Sequence, residues 1–178
     1  MRLRYRAHLC AIIIGIMGAG LFAGCASQRS TSNNATTAAP DLPYATAPLP
    51  ENGYKARITL PDPPTKLRAG EKVTIQVRAQ NASDVPWKVR GGGADNKFYI
   101  AAGDRWLKPD GTLITAQDGR YGLNRDLKPG EETEVPLLIT SPKEPGDYIL
   151  EVDLVQEQVA WFHDKGSPTA RVKVSVVR

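Results

Sequence analysis

Eight consecutive residues, Tyr148 to Val155, place Tyr148, Leu150, Val152 and Leu154 at one set of alternate positions and Ile149, Glu151, Asp153 and Val155 at the other. A period of two over that length is a strand with one face in a core. The run opens with Pro145-Gly146-Asp147. Proline presets φ for a turn position and glycine tolerates the next, so a turn starts the strand. Val159-Ala160-Trp161-Phe162 follows almost at once. No stretch beyond residue 24 sustains the 3.6-residue apolar period of an amphipathic helix. A chain patterned this way must bury its strand faces against other strands.

The neighbouring segments supply them. Tyr54 to Leu60 is expected as a first strand with Ala56, Ile58 and Leu60 on one face, stopped by Pro61-Asp62-Pro63-Pro64. Lys72 to Gln80 alternates throughout, with Val73, Ile75, Val77 and Ala79 inward. That is the pattern of a sheet buried on one side and wet on the other. Asn81 to Asp84 turns the chain, Val85-Pro86-Trp87-Lys88-Val89 follows, and Arg90-Gly91-Gly92-Gly93 reads as a flexible loop. Lys97 to Leu107 is expected as a strand with a bulge or break at Ala101-Ala102-Gly103. Lys108-Pro109-Asp110-Gly111 turns it into a short strand at Thr112 to Thr115, with loop from Ala116 to Asp126. Glu132 to Thr140 faces Val135, Leu137 and Ile139 inward, and Pro136 points that strand toward an edge. Ala170 to Val176 closes the set. About eight short strands with regular turns predict an all-β sandwich over residues 54–178.

The N-terminus has a different character. Arg2, Arg4 and Arg6 precede an apolar and small-residue run from Leu9 to Ala23, shorter than the roughly 20 residues a spanning helix needs. This reads as a secretory signal peptide. Its end, Leu21-Phe22-Ala23-Gly24-Cys25, resembles the lipobox of bacterial lipoproteins, although Phe22 stands where leucine is usual. The resemblance implies cleavage after residue 24 and diacylglycerol on Cys25, with Ala26 in the manner of outer-membrane lipoproteins. The expected location is the cell envelope, lipid-anchored, in the outer membrane facing the periplasm or exposed at the surface. Residues 25–53 then form the lipidated cysteine and a Ser/Thr/Pro-rich linker, too poor in apolar side chains to fold alone.

Cleavage empties the chemical inventory. Three of the 23 basic residues leave and none of the 19 acids, so the formal balance becomes +1. No basic run remains to attract nucleic acid. His163 is the one histidine left, Cys25 the one cysteine, and no methionine remains. No set of His, Cys or Met ligands survives to hold a metal, and no cofactor is expected. His163-Asp164 near Ser167 is the nearest approach to a hydrolytic constellation, but no G-x-S-x-G elbow accompanies it. A small envelope hydrolase acting on glycan or peptidoglycan is therefore the alternative, with a non-catalytic module as the main expectation. Asp104, Asp110, Asp118 and Asp126 lie in turn-rich segments, where aspartate serves local hydrogen bonds.

The aromatic residues carry what remains. Trp87 is expected in the core. Trp161 and Phe162 are adjacent in a strand and so face opposite ways, and together with Trp106 and Tyr121 they make the expected binding surface.

Four segments, Asn81 to Trp87, Leu127-Lys128-Pro129-Gly130-Glu131, Pro145-Gly146-Asp147-Tyr148 and Asp153 to Phe162, resemble bacterial immunoglobulin-like, fibronectin III-like accessory domains. The resemblance covers roughly residues 70 to 178, and Gln158 stands where such modules often have glycine. It implies an immunoglobulin-like antiparallel β-sandwich of about seven to eight strands, with Trp87 between the sheets and Tyr148 as a tyrosine corner. The implied role is to bind or scaffold an envelope protein or polysaccharide.

Overall fold

The computed structural model describes residues 43–178, without the side chains of residues 115–118. The expected signal peptide, Cys25 and the first part of the linker lie outside the described residues. Among the described residues nine strands follow in chain order: β1 (Ala56–Thr59), β2 (Lys66–Arg68), β3 (Lys72–Asn81), β4 (Ile100–Leu107), β5 (Leu113–Gly122), β6 (Glu132–Thr140), β7 (Gly146–Gln156), β8 (Ala160–Trp161) and β9 (Ala170–Val177). They form two sheets, β1-β3-β6 and β2-β9-β7-β4-β5, with β8 paired to the far end of β7. This is an immunoglobulin-like β-sandwich.

The strand that the alternation singles out is central to the larger sheet. β7 pairs antiparallel with β4 on one side and with β9 and β8 on the other. Its Tyr148, Leu150, Val152 and Leu154 enter the core. Ile75, Val77 and Ala79 of β3 and Val135, Leu137 and Ile139 of β6 meet them there. Pro136 sits on β6, an edge strand of the smaller sheet, where its missing N–H costs no ladder bond to a further strand.

The Tyr148 hydroxyl donates to the Glu144 carbonyl at 3.0 Å, a bond back across the Pro145-Gly146 turn. Trp106 meets the Tyr148 ring edge-on, with centroids 6.4 Å apart. Tyr148→Phe is expected to cost about 1 kcal/mol, read from the urea denaturation midpoint. An unchanged midpoint would mean that the turn holds without this bond.

At four places the chain departs from simple strand alternation. Lys66–Arg68 forms a strand parallel to β9, with Leu67 opposite Val176. Three residues are too few to show a period, and the proline-rich stop before them carries the chain from one sheet to the other. Val85–Val89 is not a regular strand; a single bridge joins Trp87 to Leu127. Pro86 offers no donor, and side chains replace the ladder. Asn81 Nδ2 donates to the Val85 and Leu127 carbonyls at 2.8 and 3.0 Å, while Asp126 Oδ1 accepts from Val89 N at 3.0 Å. Residues 116–122, expected as loop, continue β5 along β4 with register shifts. Gly119 hides the pattern for a packing reason: a Cβ there would strike the Leu138 carbonyl and lie 2.7 Å from Asp104 Oδ1.

The fourth is the end of the expected linker, which has contacts of its own. Glu51–Gly53 forms a 3-10 turn, and the Leu49 amide donates to Gln156 Oε1 at 3.0 Å. The same oxygen accepts from the Tyr54 hydroxyl at 2.6 Å, and Trp87 Nε1 donates to the Gly53 carbonyl at 2.8 Å. The buried Gln156 and Trp87 need these partners, so they draw the end of the linker onto the body. Farther out, Ala45 bridges Gly91, with its amide 2.7 Å from the Arg90 carbonyl. The Gly91-Gly92-Gly93 segment therefore runs beside this arm.

Candidate functional site

The structure separates the four aromatics expected to share one surface. Trp106 is fully buried, because it lies opposite Leu150 in register and so faces the core. Phe162 is also fully buried, with its ring edge-on to Tyr54 at 5.2 Å and to Trp87 at 5.3 Å. Neither contributes to a surface. Trp87 lies wholly in the core beside them. Trp161 pairs with Val155, on the outer face of the larger sheet, and is half-buried. Tyr121 is 45% exposed but pairs with Ala102, a core-facing residue, so it sits on the sheet face opposite Trp161. Trp161 ends β8 on the outer face, and Phe162 leaves the strand with helical backbone (φ −66°, ψ −34°), so the fold rather than strand alternation carries it inward.

Trp161 is partly covered. The Arg120 guanidinium lies over its ring at 4.3 Å, a cation–π stack. Arg120 also pairs with Glu157 at 3.2 Å. Gly103 makes room for this stack: a Cβ there would overlap Arg120 Nη1 and come within 2.9 Å of Trp161 Cη2.

The same outer face carries an ionic cluster that the sequence reading missed. Arg105, Glu151 and Arg171 stand in one row across β4, β7 and β9. Glu151 is 1% exposed, and its carboxylate accepts from Arg105 Nε at 2.5 Å, Thr169 Oγ1 at 2.6 Å and Arg171 Nε at 3.0 Å. Burial alone would raise its pKa, but the hydrogen bonds from Arg105, Thr169 and Arg171 prevail and hold it at about 2.

Two residues along β7, the buried Asp153 carboxylate accepts from His163 Nδ1 at 2.6 Å, from the His163 amide at 3.1 Å and from the Leu154 amide at 2.8 Å. Burial pushes the Asp153 pKa up, and the bonds from His163 oppose that rise. With Nδ1 on Asp153, the other ring nitrogen, Nε2, lies 3.2 Å from Arg105 Nη1. Asp164 Oδ1 lies 3.1 Å from the same nitrogen. His163 is therefore half-buried and engaged at both ring nitrogens. The available clue was two acids on β7 between Ile149 and Val155, a pattern too apolar for a fully wet face.

An Asp–His pair of this kind orients a general base in hydrolases. Here Nε2 meets an arginine. Ser167 is buried, and its hydroxyl is engaged with the Ala56 backbone, accepting from the amide at 2.9 Å and facing the carbonyl at 3.4 Å. Among the described residues, no group of three or more His, Cys, Asp or Glu side chains is arranged to hold a metal ion. Among them, too, no helix is long and apolar enough to cross a membrane.

No protein-family model and no curated protein matches the chain. Solved structures similar to it include a CARDB domain from Pyrococcus furiosus in complex with di-metal ions (16% identity, 69% of this chain and 91% of that one, TM-score 0.40). A β-glucosidase from Listeria innocua in complex with glucose is similar over 70% of this chain and 16% of its own, at 16% identity and TM-score 0.41. A sporulation control protein from Bacillus subtilis is similar over 70% of this chain and 49% of its own, at 16% identity and TM-score 0.40.

Proposed function

We propose that this protein is a lipid-anchored, non-catalytic module of the bacterial cell envelope that binds or scaffolds a protein or polysaccharide partner. The anchor is Cys25, acylated after removal of residues 1–24, and the sandwich is displayed on the linker that follows. The outer membrane, facing the periplasm or the surface, is the place its sequence address suggests. One observation carries the non-catalytic part: His163, held by Asp153, spends its free nitrogen on Arg105 rather than on a nucleophile. The engagement of Ser167 with Ala56 supports the same reading.

Two or three acyl chains, at about 0.8 kcal/mol per buried CH₂, make a far firmer anchor than one myristoyl group. Cys25→Ser is therefore expected to move the protein from the membrane pellet to the soluble fraction. If the variant still sediments with membranes after a carbonate wash, the anchor lies elsewhere.

A further inference from the structure

Beside the Arg120–Trp161 stack the larger sheet carries a cleft of about 490 Å³. Sites for small ligands span about 300–1,000 Å³. One wall is the turn before β4, with Asp95, Asn96 and Tyr99, and the other is the turn after β7, with Glu157 and Gln158. Ala101 and Gly122, register partners on β4 and β5, form a flat floor. A Cβ on Gly122 would meet nothing within 4 Å, so the space above the floor is open. Arg120 lines the cleft as well, which places its stack with Trp161 at the margin.

The two walls are braced against each other. The Phe98 amide donates to the Glu157 carbonyl at 3.1 Å, and the Glu157 amide donates to the Tyr99 carbonyl at 2.8 Å. Gln158 Nε2 reaches the Asp95 carbonyl at 2.8 Å. The three non-glycine residues with left-handed backbone among the described residues are all here: Asn96 (φ 59°), Phe98 (φ 69°) and Gln158 (φ 60°). Asparagine visits this region readily, whereas a bulky aromatic is an outlier there. Such conformations persist where the surroundings over-determine them, and they cluster at ligand clamps.

The lining chemistry narrows the occupant. Arg120 and Glu157 pair at 3.2 Å, and Asp95 leaves the lining one further negative charge, so a phosphate is repelled while a hydroxyl finds a carboxylate acceptor. Asn96 offers an amide donor and an amide acceptor, and Gln158, whose Nε2 already holds the Asp95 carbonyl, offers its side-chain oxygen and its second N–H. Tyr99, half-buried, adds an aromatic wall. Planar amides, a closed ion pair and an aromatic side over a flat floor suit a ligand with many hydroxyls and no net charge. We infer that this cleft binds a short stretch of neutral glycan. The inference rests on the reading of the chain as a binding module, and it selects polysaccharide over protein as the partner.

The test uses the full-length protein in detergent, titrated with cellotetraose, maltotetraose and chitotetraose by calorimetry and by tryptophan fluorescence. Saturable binding of at least one is expected, with a change in emission from Trp161 at the cleft margin. The Asn96→Gly variant removes an amide that none of the braces uses, at a position where glycine relaxes the backbone. It should weaken that binding about threefold to tenfold, the worth of one lost hydrogen bond, while the melting temperature stays level or rises. Absence of saturable binding to all three sugars overturns the inference, as does a variant that binds as well as the parent. These outcomes are separate from the anchoring test. A chain that pellets with membranes but binds no sugar loses the cleft and keeps the anchor, and a soluble chain that binds sugar does the reverse.

Discussion

Phe162→Ala is expected to lower stability by about 3–5 kcal/mol, the largest effect of any single truncation named here. Phe162 is fully buried, and its ring is the common partner of Tyr54 and Trp87, at 5.2 and 5.3 Å. Those two rings also tie down the residues that lead into β1, through Tyr54 to Gln156 and Trp87 to Gly53. Removing Phe162 leaves a cavity under all of them. The cost should appear in the guanidinium denaturation midpoint, with a red shift of Trp87 emission in the native baseline. A loss below about 1.5 kcal/mol would show that the site collapses around the smaller side chain and that Phe162 does not hold this end of the core.

Glu151→Gln is the second large effect, at about 3 kcal/mol at neutral pH. A carboxylate held at about 2 instead of its ordinary value of about 4.3 gains roughly 3 kcal/mol of differential interaction on folding. The higher penalties seen when a fully buried pair is broken are not reached, because Arg171 is 59% exposed and keeps its own hydration. The pH dependence has a definite sign. The Glu151 pKa is depressed in the folded state, so its contribution is complete above about pH 5 and is lost as pH falls toward 2. Asp153 works the other way, since its pKa is raised and its protonation favours the fold. The acid loss of the parent should therefore be smaller than Glu151 alone would give, and Glu151→Gln should flatten it. An acid profile that is identical in parent and variant would falsify the assignment of this loss to Glu151.

How much of this was legible varies by residue, for physical reasons. Tyr148 could be placed because a Pro-Gly turn and an alternating strand are local features, and the bond to Glu144 spans only four residues. Ile75, Val77 and Ala79, like Val135, Leu137 and Ile139, could be assigned inward because a two-residue period repeats on each strand by itself. Trp106 goes into the core, not to the surface expected of it. Whether its face of β4 meets the core is settled by pairing with Leu150, a residue 44 positions away. Leu67 is similar: its strand exists only because β9 lies alongside.

The functional surface follows the same division. Sequence alone determined that one histidine and one cysteine remain after residue 24, that the charge is near balance, and that strands rather than helices build the body. Only the tertiary structure decided that Phe162 goes in, that Arg120 covers Trp161, and that Asp95 and Asn96 face Glu157 and Gln158 across a cleft. It also decided that Glu151 and Asp153, on the supposedly wet face of β7, are buried beneath arginine and histidine side chains. The reason is range: period and turn chemistry act within a few residues, whereas an ion pair, a ring stack or a cleft joins residues tens of positions apart, and only the packed sheets bring them together.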